Sequence, residues 1–197
     1  MITVEHLTKC YGDFLAVDDL SFEIEEGHVY GFLGPNGAGK STTMNIITGC
    51  LSATSGRVRI DGHDIFEEPG AAKRLIGYLP EQPPLYLNET PVEYLRFVGE
   101  AKGLRGGALE RQIAEVVEQT RLTGVRHRCI SALSKGYRQR VGIAQALLGS
   151  PRVIILDEPT VGSLRSGSSS GSWARPIRFC SAPTSCPRCR PSAIRSS

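Results

Sequence analysis

Between a β-rich run, His28 to Leu33, and a stretch with helical spacing, Lys40 to Gly49, the chain carries Gly34-Pro35-Asn36-Gly37-Ala38-Gly39-Lys40-Ser41-Thr42. Strand, glycine loop, helix is a restrictive order. The glycines let successive backbone N–H groups close on one centre without Cβ clashes, and the helix that follows adds the positive end of its dipole. The residues match the Walker A pattern in the context that pattern requires. They point to a phosphate-bearing ligand held by residues 34–42, with Lys40 reaching the β and γ phosphates and the Ser41 hydroxyl on Mg²⁺.

A second segment supplies what such a loop needs. Val153-Ile-Ile-Leu156 is a short apolar run with the look of a fully buried parallel strand, and it ends in Asp157-Glu158. Asp157 at that strand end can hold the magnesium shell, and Glu158 beside it can activate a water for in-line attack on the γ phosphate.

The remaining chain reads as alternating short elements. Ile2, Val4 and Leu7, then Leu15 to Ile24, are strand-like, and Arg57 to Ile60 runs into an Asp61-Gly62 turn. Leu75 to Leu79 is a strand stopped by Pro80, Pro83 and Pro84. Thr90-Pro-Val-Glu93 is a capping box opening a helix from Pro91 to Ala101, and Ala108 to Arg121 has the spacing of a second helix, so a separate helical lobe is expected here. Ser134 stands at an N-cap, with a helix predicted to run on to Leu148.

With 197 residues and 40 % hydrophobic composition the chain is long enough to bury a core. It has no apolar run of membrane-spanning length and no apolar leader at its start, so a cytoplasmic setting is expected. Six of the 23 Lys and Arg residues fall in residues 163–197, which contain no acid, leaving 17 basic against 20 acidic side chains before them. The net basicity belongs to that segment alone, and no nucleic-acid role is read from it. Cys186-Pro-Arg-Cys189 has zinc-knuckle spacing but no His or acid nearby to complete a site, so no metal is assigned there.

Leu133-Ser134-Lys-Gly136-Tyr-Arg-Gln-Arg140, ahead of the Asp157 strand, resembles the signature motif of the ATP-binding cassette (ABC) ATPases. Tyr11-Gly12 resembles the aromatic loop of that family, which stacks on adenine, with Val17 packing nearby. Ile76-Gly-Tyr-Leu-Pro-Glu81-Gln82 resembles its Q-loop, the glutamine position falling on Glu81 by spacing with Gln82 one later. Glu-bearing loops of this kind, with Asp157-Glu-Pro-Thr-Val-Gly162, are similar to bacterial ABC-2-type exporters. The resemblance covers residues 1–162. It implies an α/β RecA-like P-loop NTPase core, an N-terminal antiparallel β lobe and a helical lobe inserted at about residues 82–133. It also implies ATP and Mg²⁺ as ligands, with Gln82 joining Ser41 and Asp157 at the metal. Two copies, alike or different, would sandwich ATP between residues 34–42 of one and Ser134 and Gly136 of the other. A separate integral-membrane permease would dock on the loop from Pro83 to Thr90, holding the subunit at the inner face of the cell membrane. The function implied is ATP hydrolysis powering export.

After Gly162 the family continues with Leu-Asp-Pro, a helix, a strand and a switch histidine, whereas this chain has Ser163-Leu-Arg165, and all its histidines precede Asp157. Residues 163–197 hold eleven Ser and four Pro, with no run that reads as helix or strand, and are expected to be disordered. C-terminal core elements are then missing. The residues favour a reading-frame shift over an evolved disordered extension or an Arg-rich anchor for anionic lipid or nucleic acid, because one synonymous coding of Trp173 to Ser197, read two bases later, yields a strand, histidine and helix that resemble the family's. The alternative to an active ATPase is a defective remnant that at most binds ATP, with a soluble, non-transport ABC ATPase as a further alternative.

Overall fold

The computed structural model describes residues 1–26, 29–32, 34–35, 37–157 and 177–181, with Val29 and residues 177–181 described by backbone alone. Asn36, Glu158 and the segments 163–176 and 182–197 lie outside the described residues, and with them the expectations placed on those positions.

The N-terminal lobe is an antiparallel sheet. β1 (Ile2–Tyr11) pairs with β2 (Phe14–Ile24) from Ile2 opposite Ile24 to Tyr11 opposite Phe14, and on its other edge with β4 (Ser55–Ile60). β5 (His63–Asp64) returns from β4 through Asp61 and Gly62, at φ 53° and 90°. Two successive positive φ values make this a tight hairpin turn, the geometry that Asp-Gly favours. The sheet order is β2-β1-β4-β5.

A parallel sheet forms the second layer, in the order β3 (Val29–Phe32), β8 (Ile177–Ser181), β7 (Val153–Asp157), β6 (Ile76–Leu79). α1 (Lys40–Ile47) packs between the two sheets, burying Met44, Ile46 and Ile47 against Ile2, Ile60, Val153 and Ile155. Thr48 caps it, and Gly49 follows with a φ of 68°, which suits the left-handed turn after a helix. A short α2 (Pro69–Arg74) precedes β6.

The helical lobe holds α3 (Pro91–Ala101) and α4 (Gly106–Gln119). Its capping box forms as the sequence implies: Glu93 N–H donates to Thr90 Oγ1, and Thr90 N–H donates to Glu93 Oε2 at 2.9 Å. Leu109, Ile113, Val116 and Val117, spaced for one face of α4, bury against Leu95 and Leu122, and this cluster extends to Val141 on α5 (Lys135–Leu147) and to Leu148 just after it. α5 also lies on the parallel sheet through Ile143 and Ala146. The approach is close at Gly77, where a Cβ would stand 2.0 Å from Ala146 O. Only glycine permits that separation.

The structure departs from the sequence expectation at β8. Residues 177–181, read as part of a structureless segment, form a strand, and it takes the place in the sheet that the resemblance assigns to an element after Asp157. The physical reason is the slot itself: β3 and β7 each offer an inner edge of backbone donors and acceptors, and a strand between them satisfies both.

Candidate functional site

The sheet register brings the chemistry-bearing segments to one edge. Phe32 of β3 and Asp157 of β7 both stand opposite Ser181, so the end of β3, which leads into residues 34–42, shares a row with Asp157. Leu79 stands opposite Leu156, so Glu81 and Gln82 leave the sheet at the same edge.

Within the loop, Gly37 and Gly39 have φ of 84° and 75°. Ala38 N–H donates to Pro35 O at 3.2 Å, and Thr43 N–H to Gly39 O at 2.8 Å, closing the turn into α1. Lys40 Nζ folds back to donate to Gly34 O at 2.6 Å and Pro35 O at 2.8 Å. Its ammonium therefore sits at the centre of the loop, held by groups that an anion can replace. A Cβ at Gly39 would lie 2.3 Å from Ala16 O and 3.2 Å from Val17 Cγ2. That seats the loop on β2 and explains why Val17 is buried beside it. Ser41 is exposed and Thr42 half-buried at the first turn of α1. Tyr11 is exposed at the end of β1, with Lys9 Nζ 5.1 Å from its ring centre.

Ser134 N-caps α5, its Oγ accepting from Tyr137 N–H at 3.4 Å, while Arg138 ties the same end down by donating to Ile130 O and Ser131 O. Gly142 of α5 faces Leu79 of β6, whereas Ala146, a turn later in the helix, faces Gly77. α5 thus runs antiparallel to β6, and the Ser134 end projects about 12 Å beyond Gly142 toward the edge where residues 34–42 lie. Ser134 and Gly136 are exposed there.

Sequence reasoning missed the groove between the parallel sheet and the helical lobe. It has a volume of about 440 Å³, and its walls include Cys50, Tyr78, Gln82, Pro84, Lys102 and Gln145. Four separate segments contribute these residues, so no single local spacing could signal it. Tyr78 lies two positions short of the residue level with Asp157, on the same face of the sheet, and its hydroxyl donates to Asn45 Oδ1 of α1 at 3.4 Å. Burial first, and then the Asp157 charge, push its phenol up to about 12.

Lys102, at the end of α3, donates to Gln145 O at 3.3 Å and Leu148 O at 2.6 Å, filling acceptors at the negative end of α5. Burial pushes its amine down to about 8. A neutral amine keeps two N–H donors, so the contact survives deprotonation. Above pH 8 the folded chain releases this proton while an unfolded lysine holds it until about 10.4, so stability should rise with pH in that window, by about 1.4 kcal/mol per unit. Urea unfolding at pH 7.5 and 9.5 should show this gain in the natural chain and lack it in Lys102→Met; equal slopes would refute it.

No described helix is long and apolar enough to cross a membrane. A model of the ABC transporter family matches residues 17–161. The chain is 39 % identical over 162 residues to YbhF of Escherichia coli, a probable multidrug ABC transporter ATP-binding protein, covering 82 % of this chain and 28 % of that protein. It is 40 % identical over 162 residues to the linearmycin resistance ATP-binding protein LnrL of Bacillus subtilis, covering 82 % and 52 %. The solved dimeric structure of MJ0796, a bacterial ABC transporter cassette, superposes with a TM-score of 0.77 at 28 % identity, covering 92 % of this chain and 88 % of that one. The chain spans between about a quarter and a half of the length of these curated relatives. With a loop, a strand-end carboxylate and a capped Ser134 helix disposed as described, and a family match across most of its length, the chain belongs to the ABC transporter family, in its ATP-binding cassette.

Proposed function

We propose that the chain is the ATP-binding and ATP-hydrolysing subunit of an ABC exporter, working through a separate membrane permease at the inner face of the cell membrane. The observation that carries this reading is the shared row of Phe32 and Asp157, which puts residues 34–42 and a buried carboxylate at one sheet edge. The backbone of Gly34, Pro35, Gly37, Ala38 and Gly39 cradles the phosphates, together with Asn36 and Thr42. Lys40 exchanges its two carbonyl partners for β and γ oxygens, and Tyr11 and Val17 border the adenine. The donor set of hydroxyl, carboxylate and amide oxygens at Ser41, Asp157 and Gln82 fits Mg²⁺, which would neutralise charge on the phosphates. Glu81 is the other Q-loop oxygen donor. Glu158 takes a proton from the water that attacks the γ phosphate.

Ser134 and Gly136 are exposed, which leaves them free to close on the nucleotide of a second copy, presenting the N-terminus of α5 to the γ phosphate. Tyr86, Leu87 and Phe97 are exposed together on the helical lobe, with Tyr86 and Phe97 ring centres 5.2 Å apart, and support the permease contact there. The relatives' roles in multidrug transport and linearmycin resistance, as their names give them, favour export. The glutamate supplies the test: Glu158→Gln should keep MgATP binding and accumulate an ATP-bound pair on size exclusion, where the natural chain turns over and separates. A Glu158→Gln chain that binds MgATP and stays monomeric at high concentration would defeat the sandwich.

A second reading, binding without turnover, is favoured by one observation. The family match stops at residue 161, and no histidine follows it, so the residues expected to complete the site around the γ phosphate differ in this chain.

A further inference from the structure

A single phenol joins two segments on which the nucleotide site depends. Tyr94, buried on α3 at 3 % exposure, brings its hydroxyl against the side-chain amide of Gln145 in the last turns of α5, and 3.5 Å from Pro84 O in the loop after β6. The hydroxyl has one proton and two neighbours. It donates to Gln145 Oε1, and exchanging the amide's oxygen and nitrogen would let Gln145 Nε2 donate to the phenol while the hydroxyl donates to Pro84 O. Burial pushes this phenol up to about 12, so it stays protonated throughout the working range. Lys102 grips the same stretch of α5 from a second point on the lobe. The loop is pinned on its other side as well, since a Cβ at Gly142 of α5 would lie 2.9 Å from Pro83 Cγ.

Residues 80–84 are therefore clamped between α3 and α5, and they carry Glu81 and Gln82 to the edge where Asp157 lies. We propose that Tyr94 is a positioning residue for the magnesium-facing segment: its hydroxyl bridge from Gln145 to Pro84 fixes where Glu81 and Gln82 stand relative to the bound nucleotide. The inference rests on the ATP-binding reading above and adds to it a residue that touches neither nucleotide nor metal. Removing the hydroxyl leaves the ring packed, so the lobe keeps its shape while the loop loses its anchor.

The test uses the full chain and a fluorescent ATP analogue, titrated once with Mg²⁺ and once in EDTA. Affinity in EDTA reports the contacts that need no metal, at residues 34–42 and beside the adenine, and the gain on adding Mg²⁺ includes the segment that Tyr94 holds. Tyr94→Phe should lose about fivefold of the magnesium-dependent gain with the EDTA affinity unchanged, the scale of one hydrogen bond. Gln145→Leu should give the same split, and the double variant no more than either alone. Arg96→Ala, which breaks an exposed ion pair with Glu110 in the same lobe, should move neither affinity. Variants that fold and keep the full magnesium gain, or that lose both affinities in parallel, overturn the proposal. A natural chain that binds no nucleotide takes down the ATP-binding reading itself, and this inference with it.

Discussion

Lys40→Ala should lower the affinity for MgATP by at least about 100-fold while leaving the melting temperature nearly where it is. A charged donor to a phosphate is worth about 1.5–3 kcal/mol, and this one serves two phosphates, so about 3 kcal/mol is the floor. Its present partners, Gly34 O and Pro35 O, lie at a half-buried and an exposed position, where water can replace the ammonium at little cost. No core packing is lost, since α1 buries Met44, Ile46 and Ile47 and not Lys40. Equilibrium dialysis with labelled nucleotide, beside a thermal melt, separates the two effects. Unchanged affinity would sink the ATP-binding reading, and a collapse of the melt would show that the lysine supports the fold instead.

The parts of this site legible in the sequence are those whose function is carried by consecutive residues. Residues 34–42, the Thr90–Glu93 capping box and the Ser134 cap each encode a local backbone geometry, and the structure shows each: positive φ at Gly37 and Gly39, the reciprocal Thr90–Glu93 bonds, and the Tyr137 N–H bond to Ser134. β7 was legible because all five of its residues are buried, which demands an unbroken apolar run before Asp157. The Tyr94, Gln145 and Pro84 contact was not, because its partners are 51 and 10 residues away and an isolated tyrosine on an apolar helix face reads as core. α2 was missed for a different reason: six residues beginning Pro69-Gly70 carry almost no periodicity and bury only Ala72. β8 was the hardest, since a strand flanked on both sides in a parallel sheet should be apolar throughout, and Ile177-Arg-Phe-Cys-Ser181 has an arginine near its start. Its place follows from the slot between β3 and β7 and not from its own composition.

That argument makes β8 the strand whose loss should cost most. Parallel strands lie about 4.8 Å apart, so β3 and β7 are two spacings from each other and cannot pair without a strand between them. Phe179 stands opposite Tyr30 on one side and Ile155 on the other, at the middle of both ladders. A proline there has no N–H to give, leaves a carbonyl of one neighbour unpaired in the interior, and forces its ring into the space between strands. Phe179→Pro in the full chain should therefore reduce stability by at least about 3 kcal/mol, combining an unsatisfied buried acceptor with the steric term. It should also weaken nucleotide binding, because β8 sets the spacing between the strand that feeds residues 34–42 and the strand that ends in Asp157. Urea unfolding checks both size and mechanism: the midpoint should fall, and a fall in slope as well would mean that part of the surface is already exposed in the native variant. An unchanged midpoint and slope would mean that residues 177–181 are not in the sheet. Residues 177–181 would then not be what fills the slot between β3 and β7.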